Sequence, residues 1–216
     1  MKKVILFDLD GTLTDPYEGI TKSVCYALDH YGIKESNPEI LRSFIGPPLA
    51  RRFCEVYGFT EEESKDVVAK FRERFRSIGI FENALYDGIP EMLSSLRDRS
   101  YILAVATSKP QEFAEQVLNM FHIAEYFTTV SGSSLDGSHV EKKDVILRAM
   151  SELDAAAEHA VMIGDTKFDI EGAKLCNIAS IAVTWGYAAE GDLDAANAIA
   201  NTPADVVTLA DQLLQK

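Results

Sequence analysis

The run Val4-Ile5-Leu6-Phe7-Asp8-Leu9-Asp10-Gly11-Thr12 decides the fold. Four consecutive apolar residues read as a buried strand, which the acids interrupt and Gly11 ends. Asp8 and Asp10 stand at i and i+2 on the strand end, so their side chains point the same way. Gly11 permits the tight turn that exposes them. An acid set directly after Val-Ile-Leu-Phe costs burial energy that an ordinary turn does not require, which marks Asp8 for chemistry.

Outward from this strand, the periodicity from Asp15 to about Phe81 is helical: Ile20, Val24, Ala27, Leu28 and Tyr31, then Ile40, Leu41, Phe44 and Ile45, then Val67, Val68, Phe71 and Phe75. Gly32, Pro38, Gly46-Pro47-Pro48 and Gly58 divide the stretch into about four helices, with Pro38 at a helix start. Past Asp87-Gly88, strands expected at 102–106, 127–131, 160–163 and 179–183 alternate with helices at about 90–97, 111–120, 143–152, 169–176 and 204–214. Parallel strands need helical crossovers, so the expected fold class is α/β. It is a doubly wound parallel five-stranded sheet, a Rossmann-like core, with an inserted all-helical cap. The expected domains are a core of residues 1–14 and 83–216 and a cap of residues 15–82, with hinges at Asp15 and at 83–87.

The 216 residues are 47% hydrophobic and 25% charged, as in one ordinary domain or a core with a modest insertion. The apolar runs are far shorter than the roughly 18 to 20 residues that cross a bilayer. Residues 1–8 lack the long apolar segment of a signal peptide, so the expected location is cytoplasmic, with no membrane partner. Twenty-one Lys and Arg against 34 Asp and Glu leave a net charge of −13, which argues against nucleic acid or anionic lipid as partners. The same field repels anionic substrates, so a phosphate site needs local cations. Cys25, Cys54 and Cys176 are odd in number and widely spaced, which suits neither a disulfide framework nor zinc. His30, His122, His139 and His159 share no metal-site spacing. A monomer or homodimer is expected.

In open parallel sheets ligands bind beyond the carboxyl ends of the strands. Those ends here carry Asp8 and Asp10, then Thr107-Ser108-Lys109, then Gly164-Asp165-Thr166-Lys167-Phe168-Asp169. Four carboxylates converging on one edge repel each other unless a divalent cation neutralises them, and an all-oxygen set favours Mg2+ over zinc. Thr107, Ser108 and Lys109, ahead of a helix opening near Pro110, supply a hydroxyl, backbone N–H groups and a helix N-terminus suited to an anion. Lys109 itself reads as a solvated side chain or a rim contact rather than a catalyst. Trp185, Gly186 and Tyr187 after the fifth strand read as an aromatic packing on a loop.

In order and spacing, Asp8-Leu9-Asp10-Gly11-Thr12-Leu13, Thr107-Ser108-Lys109, a lysine of Glu141-Lys142-Lys143-Asp144, and Gly164-Asp165 with Asp169 resemble the four motifs of the haloacid dehalogenase superfamily. A helical cap directly after the first motif is similar to the subclass holding phosphoglycolate phosphatase, pyrophosphatase and beta-phosphoglucomutase. The resemblance implies that Asp8 attacks phosphorus to form an aspartyl-phosphate and that Asp10 is general acid and base. A carboxylate at position 10 favours phosphoryl transfer, because a departing halide needs no acid. Thr107 and Lys142, with Lys143 as the competing choice, steady the phosphoryl oxygens, and Ser108 and Gly11 bind substrate. Asp8, the carbonyl of Asp10, and Asp165 hold Mg2+, with Asp169 on a metal water.

In the cap, Arg51 or Arg52 is placed to take a substrate carboxylate, sugar hydroxyl or second phosphate, and Tyr17 and Glu18 lie near the leaving group. The expected function is Mg2+-dependent hydrolysis of a small phosphorylated metabolite, phosphoglycolate or similar. The alternatives are a phosphosugar mutase, a pyrophosphatase or nucleotidase, and a non-catalytic phosphate-binding module.

Overall fold

The computed structural model describes residues 2–135 and 141–214; His139 lies outside them. In chain order the elements are β1 (Val4–Phe7), β2 (Thr14–Asp15), α1 (Tyr17–His30), α2 (Pro38–Arg42), α3 (Leu49–Tyr57), α4 (Glu61–Ser77), β3 (Ala84–Leu85), α5 (Ile89–Asp98), β4 (Ile102–Pro110), α6 (Gln111–Met120), β5 (Thr129–Ser133), α7 (Lys142–Leu153), β6 (Ala160–Gly164), α8 (Lys167–Leu175), β7 (Ala179–Val183), β8 (Ala198–Ala200) and α9 (Pro203–Leu214). The chain forms two compact units, Met1–Thr14 with Leu85–Lys216, and Asp15–Ala84.

The first unit is built on a parallel sheet in the order β5-β4-β1-β6-β7-β8, the doubly wound order in which two halves diverge from a central strand. β1 is that centre, with Leu6 opposite Ala104 on β4 and Met162 on β6, and all four of its residues are fully buried. Its alternate residues Val4 and Leu6 pack with Val145, Ile146 and Ala149 of α7 and Ala173 of α8. Alternation sends Ile5 and Phe7 to the opposite face, and it carries Asp8, next in the even series, toward the helices that cover Val4 and Leu6.

Six strands stand where five were expected. The sixth, β8, is three residues long, and it pairs with β7 through Ile181 opposite Ala198 and Val183 opposite Ala200. Ala-Ile-Ala carries no strand signal of its own. Asn197, whose side-chain oxygen accepts from the Ser180 backbone N–H at 2.9 Å, brings it to the sheet edge. Two other strands shift. β5 begins at Thr129 because Phe127 closes a short 3-10 turn, Ala124–Tyr126, and meets Phe7 edge-on. β4 continues through Thr107-Ser108-Lys109 to Pro110 instead of ending at Ala106.

The second unit is helical, with boundaries at the residues that punctuate its sequence. Pro38 opens α2 behind an Asn37 cap, and Gly58 ends α3 in the left-handed conformation. Thr60 and Glu63 form a reciprocal capping box on α4, which the apolar periodicity alone does not reveal. Between α1 and α4, Arg74 reaches Ser23 at 3.1 Å and grips both carboxylate oxygens of Glu82 at 2.8 and 3.0 Å.

Candidate active site

Asp8, Asp165 and Asp169 are all buried, and one oxygen of each lies within 4.8 Å of the others. Three elements bring them together: the end of β1, the turn after β6 and the first turn of α8. Lys142, the first residue of α7, places its ammonium 2.9 Å from Asp8 Oδ1 and 2.7 Å from Asp169 Oδ1. Its neighbour Lys143 is exposed, so Lys142 is the lysine at this cluster. Room for it comes from Gly172 on α8, where a Cβ would stand 2.7 Å from Lys142 Cγ.

The carboxylates are oriented on several sides. Asp8 Oδ1 also accepts from the Leu9 backbone N–H at 2.8 Å. Asp169 Oδ2 accepts from the Thr166 backbone N–H at 3.0 Å and from its hydroxyl at 2.9 Å, so the acid that begins α8 is tied to its own helix cap. Asp165 Oδ1 accepts from the Thr12 hydroxyl at 3.0 Å, and Oδ2 accepts from the Tyr187 backbone N–H at 2.7 Å. Gly11 adopts a left-handed φ of +86°, and a Cβ there would lie 2.1 Å from Asp165 Oδ2. Conformation and space both exclude a side chain at residue 11.

Burial and the adjacent Asp169 and Asp8 push the Asp165 carboxyl well above its ordinary range. Burial also raises Asp169, against the pull of Lys142. Lys142 loses basicity to burial but gains more from Asp169 and Asp8, so its ammonium is held above the usual lysine range. Of the three clustered carboxylates, Asp8 and Asp169 pair with the Lys142 ammonium, and Asp165 is held by Thr12 and Tyr187. A hard divalent cation fits the all-oxygen donor set and the residual negative charge.

Asp10 stands apart from the three. Lys109 places its ammonium 2.9 and 2.8 Å from the two Asp10 carboxylate oxygens. Lys109 is 8% exposed, which corrects the expectation of a solvated side chain. The longer β4 is the reason, because it keeps Lys109 in the sheet edge rather than on a loop. Burial raises the Asp10 carboxyl, opposed by Lys109. Thr107 is buried, with its Oγ1 accepting from the Lys109 backbone N–H at 3.2 Å, and Ser108 is half-buried with its carbonyl accepting from the Ser133 hydroxyl at 2.7 Å.

Arg51 and Arg52 lie on α3 of the helical unit. Arg51 pairs with Glu55 at 2.8 Å; Arg52 donates to Ser43 Oγ at 3.0 and 2.7 Å and to Glu55 at 3.1 Å. Both guanidinium groups have partners inside their own unit. Sequence reading missed Thr12 as a holder of Asp165, Lys109 as the partner of Asp10, and Gly172. The glycine offered a signal, since a glycine inside a helix costs about 1 kcal/mol relative to alanine and calls for a packing reason.

Acids and a buried lysine gather at the carboxyl edge of the β5-β4-β1-β6-β7-β8 sheet, the edge where doubly wound α/β proteins bind their ligands. The chain belongs to the haloacid dehalogenase-like hydrolase family, whose model matches residues 5–183. It is 46% identical to a 5'-nucleotidase of Pseudomonas aeruginosa over 88% of this chain and 86% of that protein. To Tyrosine-protein kinase PtkA of Mycobacterium tuberculosis it is 37% identical over 86% of this chain and 63% of that protein. To a phosphoglycolate phosphatase of Aquifex aeolicus it is 28% identical over 86% of each. The crystal structure of a predicted phosphatase from Clostridium acetobutylicum superposes with a TM-score of 0.93 at 44% identity, covering all of both chains. No helix among the described residues is long and apolar enough to cross a membrane.

Proposed function

We propose that the protein is a Mg2+-dependent phosphatase of small phosphate monoesters, working through an aspartyl-phosphate on Asp8. The observation that carries this reading is Asp8 itself: a buried carboxylate at the end of the central strand, one oxygen on Lys142, clustered with two further acids. Asp8 attacks phosphorus, and Lys142, paired with its Oδ1, holds it oriented while charge develops on the phosphoryl oxygens. Asp10 gives a proton to the leaving oxygen and later takes one from the water that cleaves the acyl-phosphate. Thr107 and the Ser108 backbone N–H bind the transferring phosphoryl group, and Gly11 lets it approach the main chain. Asp8, Asp165, Asp169 and the Asp10 carbonyl would hold Mg2+, which neutralises charge shared between phosphate and carboxylates.

Within this class the nucleoside 5'-monophosphates are the first substrates to test, because the 5'-nucleotidase shares 46% of its aligned residues with this chain and the phosphoglycolate phosphatase 28%. Phosphate release is measured from nucleoside monophosphates, 2-phosphoglycolate, sugar phosphates and pyrophosphate, with and without Mg2+, against Asp8→Asn as the blank. Mg2+-dependent release absent from the variant supports the reading, and the best substrate decides between nucleotide and phosphoglycolate. Equal release by Asp8→Asn overturns it.

A further inference from the structure

Asp165 is fully buried, and the segment that holds one of its oxygens lies outside all four motifs. That segment is residues 184–187, directly after β7. Tyr187 donates its backbone N–H to Asp165 Oδ2 at 2.7 Å. Gly186 backs the same carboxylate: a Cβ there would stand 2.3 Å from Oδ2, 2.4 Å from Asp165 Cβ and 2.4 Å from the Gly11 carbonyl. Trp185 donates its indole N–H to the Thr12 carbonyl at 3.1 Å, and Thr12 donates its hydroxyl to the other Asp165 oxygen, Oδ1, at 3.0 Å. The contacts form a closed circuit from Trp185 through Thr12 and Asp165 to Tyr187 and back along the chain. An aromatic that merely covered apolar surface would need neither the indole donor on Thr12 nor a glycine pressed against an acid.

We infer that the Trp185-Gly186-Tyr187 loop is a positioning element for the metal site, which fixes both oxygens of Asp165 in the orientation a divalent cation requires. Trp185 and Gly186 act through Asp165 and touch no reacting atom. This rests on the divalent-cation reading of Asp8, Asp165 and Asp169. Partners that orient metal ligands from behind are typically worth 10–100-fold in metal affinity, because an unheld carboxylate must be ordered when the ion arrives. The loop also places the chain's only tryptophan two residues from the Tyr187 N–H that holds Asp165, so indole emission reports on the site.

The test is the Mg2+ affinity of the full chain without substrate, by calorimetry, for wild type, Trp185→Phe, Gly186→Ala and Asp165→Asn. Thermal midpoints with and without Mg2+ are measured alongside. Trp185→Phe keeps the ring and deletes the donor, and Gly186→Ala displaces the carboxylate. The expected result is Mg2+ binding weakened about 10- to 100-fold in both loop variants. The Trp185→Phe midpoint without metal should stay at the wild-type value, and the Mg2+-induced rise should shrink. Wild-type tryptophan emission should change as Mg2+ saturates. Should Gly186→Ala fail to fold, Trp185→Phe carries the test. Wild-type affinity in Trp185→Phe, with binding lost in Asp165→Asn, overturns the role of the loop alone. Absence of Mg2+ binding to wild type overturns the metal reading and this inference with it.

Discussion

At the scale of single residues, the site consists of acids whose charge is compensated in two separate places. Lys142 serves Asp8 and Asp169, whereas Lys109 serves Asp10. Removing one partner of a buried pair strands the other charge, so Lys109→Met is expected to destabilise the fold by about 3 kcal/mol, read from denaturant midpoints. Adding Asp10→Asn to it should recover part of that loss without restoring turnover, and full additivity of the two changes would deny the pairing. Asp8→Asn is expected to abolish phosphate release while circular dichroism and thermal midpoint stay near wild type. Asp8, Asp10, Thr107 and Asp165 were legible because each stands at the end of an apolar run, where a polar residue needs a reason, whereas Lys142 and Asp169 follow no such run and were picked out by the family resemblance. Lys109 was not legible, since its burial depends on β4 running four residues past Ala106, and strand ends are set by the pairing partner, here Ser133 opposite Pro110.

At the scale of elements, two close approaches hold the parts in place. α7 and α8 meet where Gly172 leaves space for Lys142. Gly172→Ala is therefore expected to displace the ammonium and lower the rate at least 10-fold with the fold retained, which steady-state kinetics and circular dichroism check together. In the helical unit, Arg74 on α4 clamps Glu82 and Ser23 of α1. The hydrogen bonds from Arg74 hold the Glu82 carboxyl below its usual range. A depressed carboxyl stabilises the fold above its unfolded-state pKa and loses that contribution as pH falls through the folded value. The stability difference between wild type and Arg74→Ala should accordingly be largest near neutrality and close below about pH 4, as thermal melts across pH would show. The four helices of this unit were legible from Pro38, Gly58 and the apolar period. The clamp was not, because Arg74 and Glu82 meet only after α4 has ended and the chain has turned.

At the scale of the whole molecule, the excess of negative charge makes the buried acid cluster costly without a counterion. Mg2+ that binds only the folded chain is expected to raise the thermal midpoint, with about 2.7 kcal/mol of stabilisation at one hundred times its dissociation constant, reversed by chelator. A midpoint insensitive to Mg2+ would count against the site. The parallel α/β class, the helical stretch between the first motif and the rest, and the acids on the strand ends are properties of local pattern. Hydrophobic periodicity and residue type suffice to determine them. Tertiary structure alone decided the sixth strand, which exists because β7 offers it an edge, and the pairing of Asp10 with Lys109 across the sheet. It alone decided the grip of Trp185, Gly186 and Tyr187 around Asp165 as well. Those features join residues far apart in the chain, and no local pattern carries a contact whose second partner the fold must first bring near.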